Sequence, residues 1–334
     1  EIILPLLSYS SNDEIRHTAG KGLPALIHVV QEANHANGPQ IVKTMAKKYI
    51  EALWETIESE MSADTMAKLV YCIREVVLAS KRFMTEVEIE QFSQMILKAL
   101  KDSDERKAEN AKYAQDEDMD EDDLAALKDE NDIEEELHCA LAELIGSLFE
   151  THKELTLPLV DIIYKQILPN VLSTDVSPKM NKFGLFLIDD MIEFLGIELI
   201  PNEWPHLSEA LLKFATHKVS EVRQAAVYGI GVLAEKSRDS FKAISEYCVK
   251  ALFESLAVKK AENESEKHYG YAKDNSVASL GKVIKSQAEF LPNLPEVVKV
   301  WLDNLPLKWD KKEARVQHEL LVDIILASNA SLVF

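Results

Sequence analysis

EIRHTAGKGL (residues 14–23) and EVRQAAVYGI (residues 221–230) align without a gap, although 207 positions separate them in the chain. The identical positions pair Glu14 with Glu221, Arg16 with Arg223, Ala19 with Ala226 and Gly22 with Gly229. This separation is close to five units of about 41 residues, within the roughly 40–47 residues of repeats built from a pair of helices. The two stretches therefore predict an internal helical repeat.

The composition favours helices throughout the chain, because only 10 of the 334 residues are Gly and 11 are Pro. No alternating run of Val, Ile and Thr ends in Asn-Gly or Asp-Gly, as a hairpin of strands would require. We therefore predict an all-α protein, an α-solenoid of about seven HEAT repeats that forms a curved superhelix. Each repeat is an antiparallel pair, an A-helix followed by a B-helix, and stacking of neighbouring pairs supplies the core. The predicted pairs of this single array cover residues 1–34, 39–80, 86–152, 154–196, 203–237, 241–288 and 295–328.

Several residues within the repeats are predicted to serve packing. Gly229 and Gly231 lie in the middle of a B-helix, where glycine costs ~1 kcal/mol relative to alanine, so close helix approach is the expected reason. Arg16 and Arg223 lie near the start of B-helices and are expected to bond to turn carbonyls or to acids of the adjoining repeat. The tryptophans are expected in the core or at its rim, with a pocket for a partner's side chain as the alternative. They are Trp54, Trp204, Trp301 and Trp309.

Other features bear on the class of protein. The three cysteines, Cys72, Cys139 and Cys248, are far apart, show no metal-ligand spacing and are expected to be reduced core thiols of an intracellular protein. No apolar run reaches the ~18 residues of a membrane span, so we predict no membrane segment. The chain begins within an apolar segment without Met, and we expect it to be a fragment.

The formal net charge is −20, and one segment accounts for most of it. Residues 116–136 contain thirteen acidic residues and a single lysine, so they contribute −12. We predict an acidic insert at residues 113–136, between the two helices of the third pair. Its candidate partner-binding residues are Asp116, Glu117, Asp118, Asp120, Glu121, Asp122 and Asp123.

Three interpretations of the insert remain open at this point. The first is a solvated loop that keeps the protein soluble. The second is a surface whose negative field attracts basic partners, and these two interpretations are compatible. A calcium loop is the third, because Asp116, Asp118 and Asp120 match the first three ligand positions. However, Glu121 replaces the required Gly and Leu127 replaces the bidentate Glu. Direct nucleic-acid binding is disfavoured, since no basic stripe is present.

The sequence contains no catalytic motif that we can identify. It lacks a nucleophile elbow, a phosphate-binding glycine loop and HExxH, and its histidines are scattered. We therefore predict that the protein is not an enzyme and uses no cofactor or metal. Asp189 and Glu193 stand four residues apart in GLFLIDDMIEFLG (residues 184–196) and are predicted to form an acidic, solvated or partner-facing B-helix surface.

Four segments, in this order and preceded by an acidic insert, carry a resemblance to a known family. They are GLFLIDDMIEFLG (184–196), SEVRQAAVYGIGVLAE (220–235), NSVASLGKVIK (275–285) and PLKWDKKEARVQHELLVDIIL (306–326). Together they resemble the carboxyl-terminal half of the importin-five (importin beta-3) branch of the karyopherin-β nuclear transport receptors. The resemblance is specific from about residue 110 onward.

The resemblance implies function as well as fold. Members carry basic cargo proteins such as ribosomal proteins and histones and bind Phe-Gly nucleoporins. They release cargo when Ran-GTP binds, and they shuttle between cytoplasm and nucleus. Their main Ran-binding repeats are amino-terminal and have no counterpart here. Asp189, Glu193 and the acidic insert are therefore electrostatic candidates for cargo contact. The alternative is a static HEAT-repeat scaffold, such as a phosphatase structural subunit or a coat-adaptor arm.

Overall fold

The computed structural model describes residues 2–9, 11–33, 36–116, 119–173, 175–291 and 293–326, and every regular element within these ranges is helical. The prediction of an all-α fold is therefore confirmed. Contacts divide the chain into two compact units, residues 1–167 and 168–334. Its division into seven repeats remains a prediction.

The first unit is built from helix pairs. Its α-helices are α1 (Leu4–Leu7), α2 (Asp13–Glu32), α3 (Gly38–Ser59), α4 (Ala63–Ser80), α5 (Glu86–Tyr113), α6 (Glu121–His152) and α7 (Leu157–Ile162). Helices α1, α3 and α5 each pack against the next helix in the chain, as A-helices should. Helices α2, α4 and α6 stack side by side and form a B-helix layer.

The second unit repeats this arrangement. Its α-helices are α8 (Leu168–Val171), α9 (Pro178–Asp190), α10 (Trp204–Phe214), α11 (Ser220–Lys236), α12 (Ser245–Ala257), α13 (Glu266–Gln287), α14 (Leu294–Asp303) and α15 (Lys311–Leu326). Helices α9, α11, α13 and α15 form the B-helix layer, in which α11 packs against both α9 and α13. A π-helical segment, Met191–Leu195, directly follows α9.

Local sequence fixes where several helices begin. Thr85 accepts a hydrogen bond from the Glu88 backbone N–H, and the Glu88 carboxylate accepts one from the Thr85 N–H at 2.8 Å. This reciprocal arrangement satisfies two backbone donors that would otherwise lack partners at the start of α5. Ser177 and Ser265 cap α9 and α13 with their hydroxyl groups. Such caps stabilise a helix by about 1 kcal/mol each.

Apolar side chains from both helices of each pair fill the interior. Trp54 of α3 packs edge-on against Phe92 of α5, with ring centroids 5.5 Å apart. Trp301 is fully buried, whereas Trp309 leaves 37% of its surface exposed at the rim. The three cysteines are free thiols and buried, as predicted.

Close helix approach explains the glycines of α11. A Cβ atom at Gly229 would overlap the Asp189 carboxylate and come within 2.6 Å of Leu211, and one at Gly231 would come within 2.6 Å of the Ser279 hydroxyl. Gly22, the aligned partner of Gly229, differs, because open space surrounds the position of its missing Cβ. The prediction of a packing role therefore holds for Gly229 and Gly231.

The two aligned arginines hold the turns that precede their helices, as predicted. Arg16 donates from Nη1 to the carbonyl oxygen of Tyr9 at 2.9 Å and forms an ion pair with Glu60, which lies in the turn of the adjoining repeat. Arg223 donates from Nη1 to the carbonyl oxygen of His217 at 2.6 Å. These arginines therefore join turns to B-helices and are structural.

Candidate partner-binding surfaces

The predicted acidic insert is mostly helical. Residues 121–136 form the first turns of α6, so the expectation of a solvated loop is wrong for them. The carboxylate of Asp120 accepts the backbone N–H groups of Asp122 and Asp123, both at 2.9 Å, and Asp123 bonds back to the Asp120 N–H. Acidic residues in a first turn also stabilise the positive end of the helix dipole. The charges that suggested a loop therefore start a helix.

The start of α6 and the end of α5 project beyond the buried part of their pair. Asp116, Asp120, Glu121, Asp122 and Asp123 are all exposed. Leu124 and Ile133 leave 41% and 38% of their surfaces exposed. We call residues 119–133 the acidic tip. Glu117 and Asp118, also predicted as partner-binding residues, lie outside the described residues.

The acids at the base of this hairpin have a structural role. Glu134, which is 6% exposed, accepts from Arg106 Nε and Nη2 at 2.5 and 2.8 Å and from the Ser103 hydroxyl at 2.6 Å. The hydrogen bonds that Arg106 donates to the Glu134 carboxylate raise the pKa of Arg106. Glu135 pairs with Lys107 at 3.2 Å. These two of the thirteen acids pair with basic side chains of α5, and the exposed negative charge of the predicted insert lies mainly at the acidic tip.

The calcium interpretation finds no support in the part that the structure describes. Asp120 uses its carboxylate as the cap of α6, and Asp118 is not among the described residues. Within the described ranges no group of three or more His, Cys, Asp or Glu side chains is placed to hold a metal ion. No described helix is long and apolar enough to cross a membrane.

Asp189 does not lie on a solvated or partner-facing surface, so this prediction is corrected. It is only 4% exposed and lies against the α11 backbone at Gly229, where the absent Cβ leaves room for its carboxylate. The Oδ1 atom has no hydrogen-bond partner among the described residues. Burial, followed by the charges of Asp190 and Glu193, raises the pKa of Asp189 well above its usual value. Asp189 is therefore unavailable to a partner in this conformation.

Glu193 is half-buried and belongs to a polar chain that crosses four neighbouring elements of the B-helix layer. Its carboxylate accepts the Tyr228 hydroxyl proton at 2.9 Å. Lys282 lies over the Tyr228 ring, 4.6 Å from its centroid, and pairs with Glu313 at 2.8 Å. Burial, followed by the Glu193 charge, raises the pKa of Tyr228. Sequence spacing could not predict this row of polar contacts, because its four residues lie on four different elements.

The structure brings together only some of the predicted site residues. Asp120, Glu121, Asp122 and Asp123 share the acidic tip in the first unit. Asp189 and Glu193 are neighbours in the second unit, one buried and the other engaged with Tyr228. The acidic tip is therefore the better candidate for contact with a basic partner.

Known proteins share this fold. Residues 61–172 match the family described as importin repeat 6, a range that includes the acidic tip. The probable importin-5 homolog of Dictyostelium discoideum is 23% identical over 57% of the chain and 18% of its own length. Importin subunit beta-3 of Saccharomyces cerevisiae is 21% identical over 97% of the chain and 29% of its own length.

Solved structures agree with these relatives. Kap121p, bound to Nup53p in one crystal structure and to Pho4p in another, aligns with a TM-score of 0.71 and 18% identity in both. Each alignment covers 96% of this chain and 28% of Kap121p. The chain thus spans less than a third of the length of these relatives and of Kap121p. Its fold is the HEAT-repeat solenoid of the karyopherins, and the resemblance to the importin-five branch of that family, predicted from the sequence, is confirmed.

Proposed function

We propose that this chain is a segment of a nuclear transport receptor of the importin-β type, and that it binds partners without catalysing a reaction. Basic proteins, such as ribosomal proteins and histones, are the cargo class that its charge suits. The same receptor binds Phe-Gly nucleoporins and moves between cytoplasm and nucleus. Ran-GTP releases the cargo in the full-length protein, acting mainly through repeats outside this chain. Direct contact with nucleic acid or a membrane is not part of the proposal.

The observation that carries the cargo proposal is the acidic tip. It is an exposed helical surface within the part of the chain that matches an importin repeat. Glu121, Asp122 and Asp129 are exposed there, and no basic side chain comes within 4.0 Å of these three residues in the described ranges. Lys- or Arg-rich segments are steered towards such a field and exchange rapidly, because exposed ion pairs are weak.

Weak individual contacts suit a carrier that must release what it binds. An exposed ion pair contributes about 0.2–1 kcal/mol, so several are needed for selective binding. Simultaneous contacts along a solenoid raise the overall affinity through the effective concentration of each further site. Loss of a few contacts then lowers the affinity steeply, which gives a second ligand such as Ran-GTP a way to trigger release.

The test is a titration of a fluorescent Lys-rich peptide into the purified chain at low and physiological salt. The variant Glu121→Gln/Asp122→Asn/Asp129→Asn removes three exposed charges but keeps Asp120 as the cap. We expect about a tenfold weaker affinity at low salt and a smaller difference at physiological salt. The matched control, Glu51→Gln/Glu55→Gln/Glu90→Gln, removes the same charge from exposed positions of α3 and α5. Equal weakening by both variants would refute a role for the acidic tip.

A second test addresses the carrier function itself. The full-length parent protein is immobilised and exposed to Phe-Gly nucleoporin fragments, with Ran-GTP added after cargo is bound. We expect nucleoporin binding and cargo release by Ran-GTP, but not by Ran-GDP. Recovery of phosphatase or coat subunits without nucleoporins would instead favour the static scaffold.

A further inference from the structure

The turn between α14 and α15 carries an exposed basic surface on a chain whose net charge is −20. Lys308 is exposed in this turn, Lys311 and Lys312 are exposed at the start of α15, and Lys267 is exposed at the start of α13. Trp309 leaves 37% of its surface exposed beside them. We propose that these five residues, named the basic turn, form a docking surface for an acidic protein segment, rich in Asp and Glu and carrying an apolar side chain.

The backbone of the basic turn is held rigidly. Asp274 of α13, itself 6% exposed, accepts three backbone N–H groups with one carboxylate oxygen. The donors are Lys308 at 2.9 Å, Trp309 at 2.6 Å and Asp310 at 2.9 Å. Hydrogen bonds to an ionised carboxylate are among the strongest hydrogen bonds in proteins. A partner therefore meets a preformed surface and loses less affinity to the ordering of the turn.

The acids near the basic turn are already engaged. Asp310 accepts the N–H groups of Lys312 and Glu313 at 3.1 Å, and its second oxygen accepts from Asn275 at 3.0 Å. Glu313 pairs with Lys282. In contrast, within the part of the chain that the structure describes, no carboxylate lies within 4.0 Å of the ammonium groups of the basic turn. Its lysines therefore present uncompensated positive charge to solvent.

Trp309 supplies an apolar contact among these charges. Its ring lies against the α13 backbone at Gly270, where a Cβ atom would overlap the indole. Lys267, one turn earlier on α13, lies 6.0 Å from the centroid of the Tyr271 ring. Protein interfaces are enriched in Trp, so a partly exposed indole can anchor an apolar side chain of the partner.

Two other turns of the chain supply the acidic side chain themselves. Glu60 extends from its turn towards Arg16, and Glu264 extends from its turn to accept the Ser220 N–H at 2.9 Å. At the basic turn, Asp274 on the B-helix accepts three backbone N–H groups of the turn, and Asp310 of the turn accepts from Asn275 of the same helix. The exposed side chains of the basic turn include lysines, which place positive charge in the solvent.

The charge of the whole chain selects among anionic partners. A short acidic segment needs only the basic turn, which holds four lysines. A nucleic-acid strand or an anionic membrane extends beyond it and is repelled by the rest of an acidic protein, whereas nucleic-acid binding requires many phosphate contacts. The proposed partner is therefore a protein segment.

The test measures binding of a fluorescent Glu/Asp-rich peptide with one Leu to the purified chain, by anisotropy at low salt. The variant is Lys308→Gln/Lys311→Gln/Lys312→Gln, and the matched control, Lys250→Gln/Lys285→Gln/Lys299→Gln, removes the same charge from exposed positions elsewhere. We expect about a tenfold loss of affinity in the variant and little change in the control. Equal loss in both, or no binding by the native chain, would overturn the proposal.

Two further measurements separate this surface from a diffuse charge effect. Trp309→Ala should weaken peptide binding several-fold while far-ultraviolet circular dichroism stays unchanged, and an unchanged affinity would exclude the indole from the surface. If that variant unfolds, replacement of Leu by Ser in the peptide tests the same contact. Single-stranded poly-uridine and anionic vesicles serve as competing ligands. Tighter binding of either one than of the peptide would overturn the assignment to a protein partner.

Discussion

His152 provides the sharpest test of how the first unit is held together. It is fully buried, and its Nε2 atom accepts the backbone N–H groups of Phe83 and Met84 at 3.3 and 3.2 Å. Because Nε2 is an acceptor, the proton of the neutral ring lies on Nδ1, which is 2.7 Å from the Thr151 hydroxyl. Protonation at Nε2 would break both backbone bonds and bury a charge. Acidification is therefore the perturbation to apply.

The expected magnitude follows from the pKa of His152. Burial, reinforced by the charge of Arg82, lowers this pKa from 6.5 to about 4. As the pH falls, the unfolded state takes up the proton first, so the stabilisation is complete above pH 6.5 and is lost between pH 6.5 and 4. The pKa of His152 thus differs by about 2.5 between the unfolded and folded states, which corresponds to about 3 kcal/mol of stability. About 2 kcal/mol of this stability is lost by pH 5.

The assay is urea unfolding of the native chain, His152→Gln and His28→Gln at pH 7 and pH 5, followed by circular dichroism. Hydrogen exchange of residues 82–85, corrected for its intrinsic pH dependence, reports on the first unit alone. The native chain and His28→Gln, whose replaced histidine is exposed, should lose about 2 kcal/mol more than His152→Gln on acidification. The reasoning is refuted if all three lose the same amount.

Three further predictions concern buried groups and are measured by the same unfolding assay. Gly229→Ala should destabilise the second unit by about 1–2 kcal/mol, because overlap with Asp189 and Leu211 outweighs the ~1 kcal/mol gain in helix propensity; equal or greater stability would contradict the observed packing. In the native chain, the raised pKa of Asp189 makes the free energy of unfolding fall as the pH rises above 3.8, and Asp189→Asn should remove this dependence; an unchanged slope would show that the carboxyl is hydrated. Glu134→Gln should cost about 1–2 kcal/mol, less than a fully buried pair, because Arg106 is one-third exposed and regains water; no loss would mean that this ion pair is unimportant.

The architecture was predictable from sequence because its signals are local and repeated. Low glycine and proline content, apolar residues at helical spacing and the match of residues 14–23 with 221–230 all indicate helix pairs. The same match correctly predicted that Arg16 and Arg223 bond to turns. It did not predict that a Cβ atom would meet open space at Gly22 but would overlap Asp189 and Leu211 at Gly229. That difference depends on the neighbouring helices.

The candidate site was harder to predict, since charge density does not distinguish a loop from a helix start. Asp120 is followed at the third position by Asp123, and a carboxylate at each of these positions can form a reciprocal cap. The sequence therefore contained a helix signal inside the acidic insert, but the run of like charges obscured it. A segment dense in acids is expected to repel itself, and here the dipole and the cap outweigh that repulsion at the helix start.

Asp189 shows why an acid on a helix cannot be assigned to the surface by spacing alone. Helical periodicity places Asp189 and Glu193 near one face, but exposure is decided by what the neighbouring B-helix presents there. Gly229 of α11 leaves a space that admits the Asp189 carboxylate, whereas Tyr228 extends its hydroxyl to Glu193. Of two consecutive residues of α11, Gly229 therefore makes room for the buried Asp189, and Tyr228 donates a hydrogen bond to Glu193. The informative signal is the pairing of a mid-helix glycine with an acid in the preceding repeat, because a glycine that allows close approach can receive a polar group as well as an apolar one.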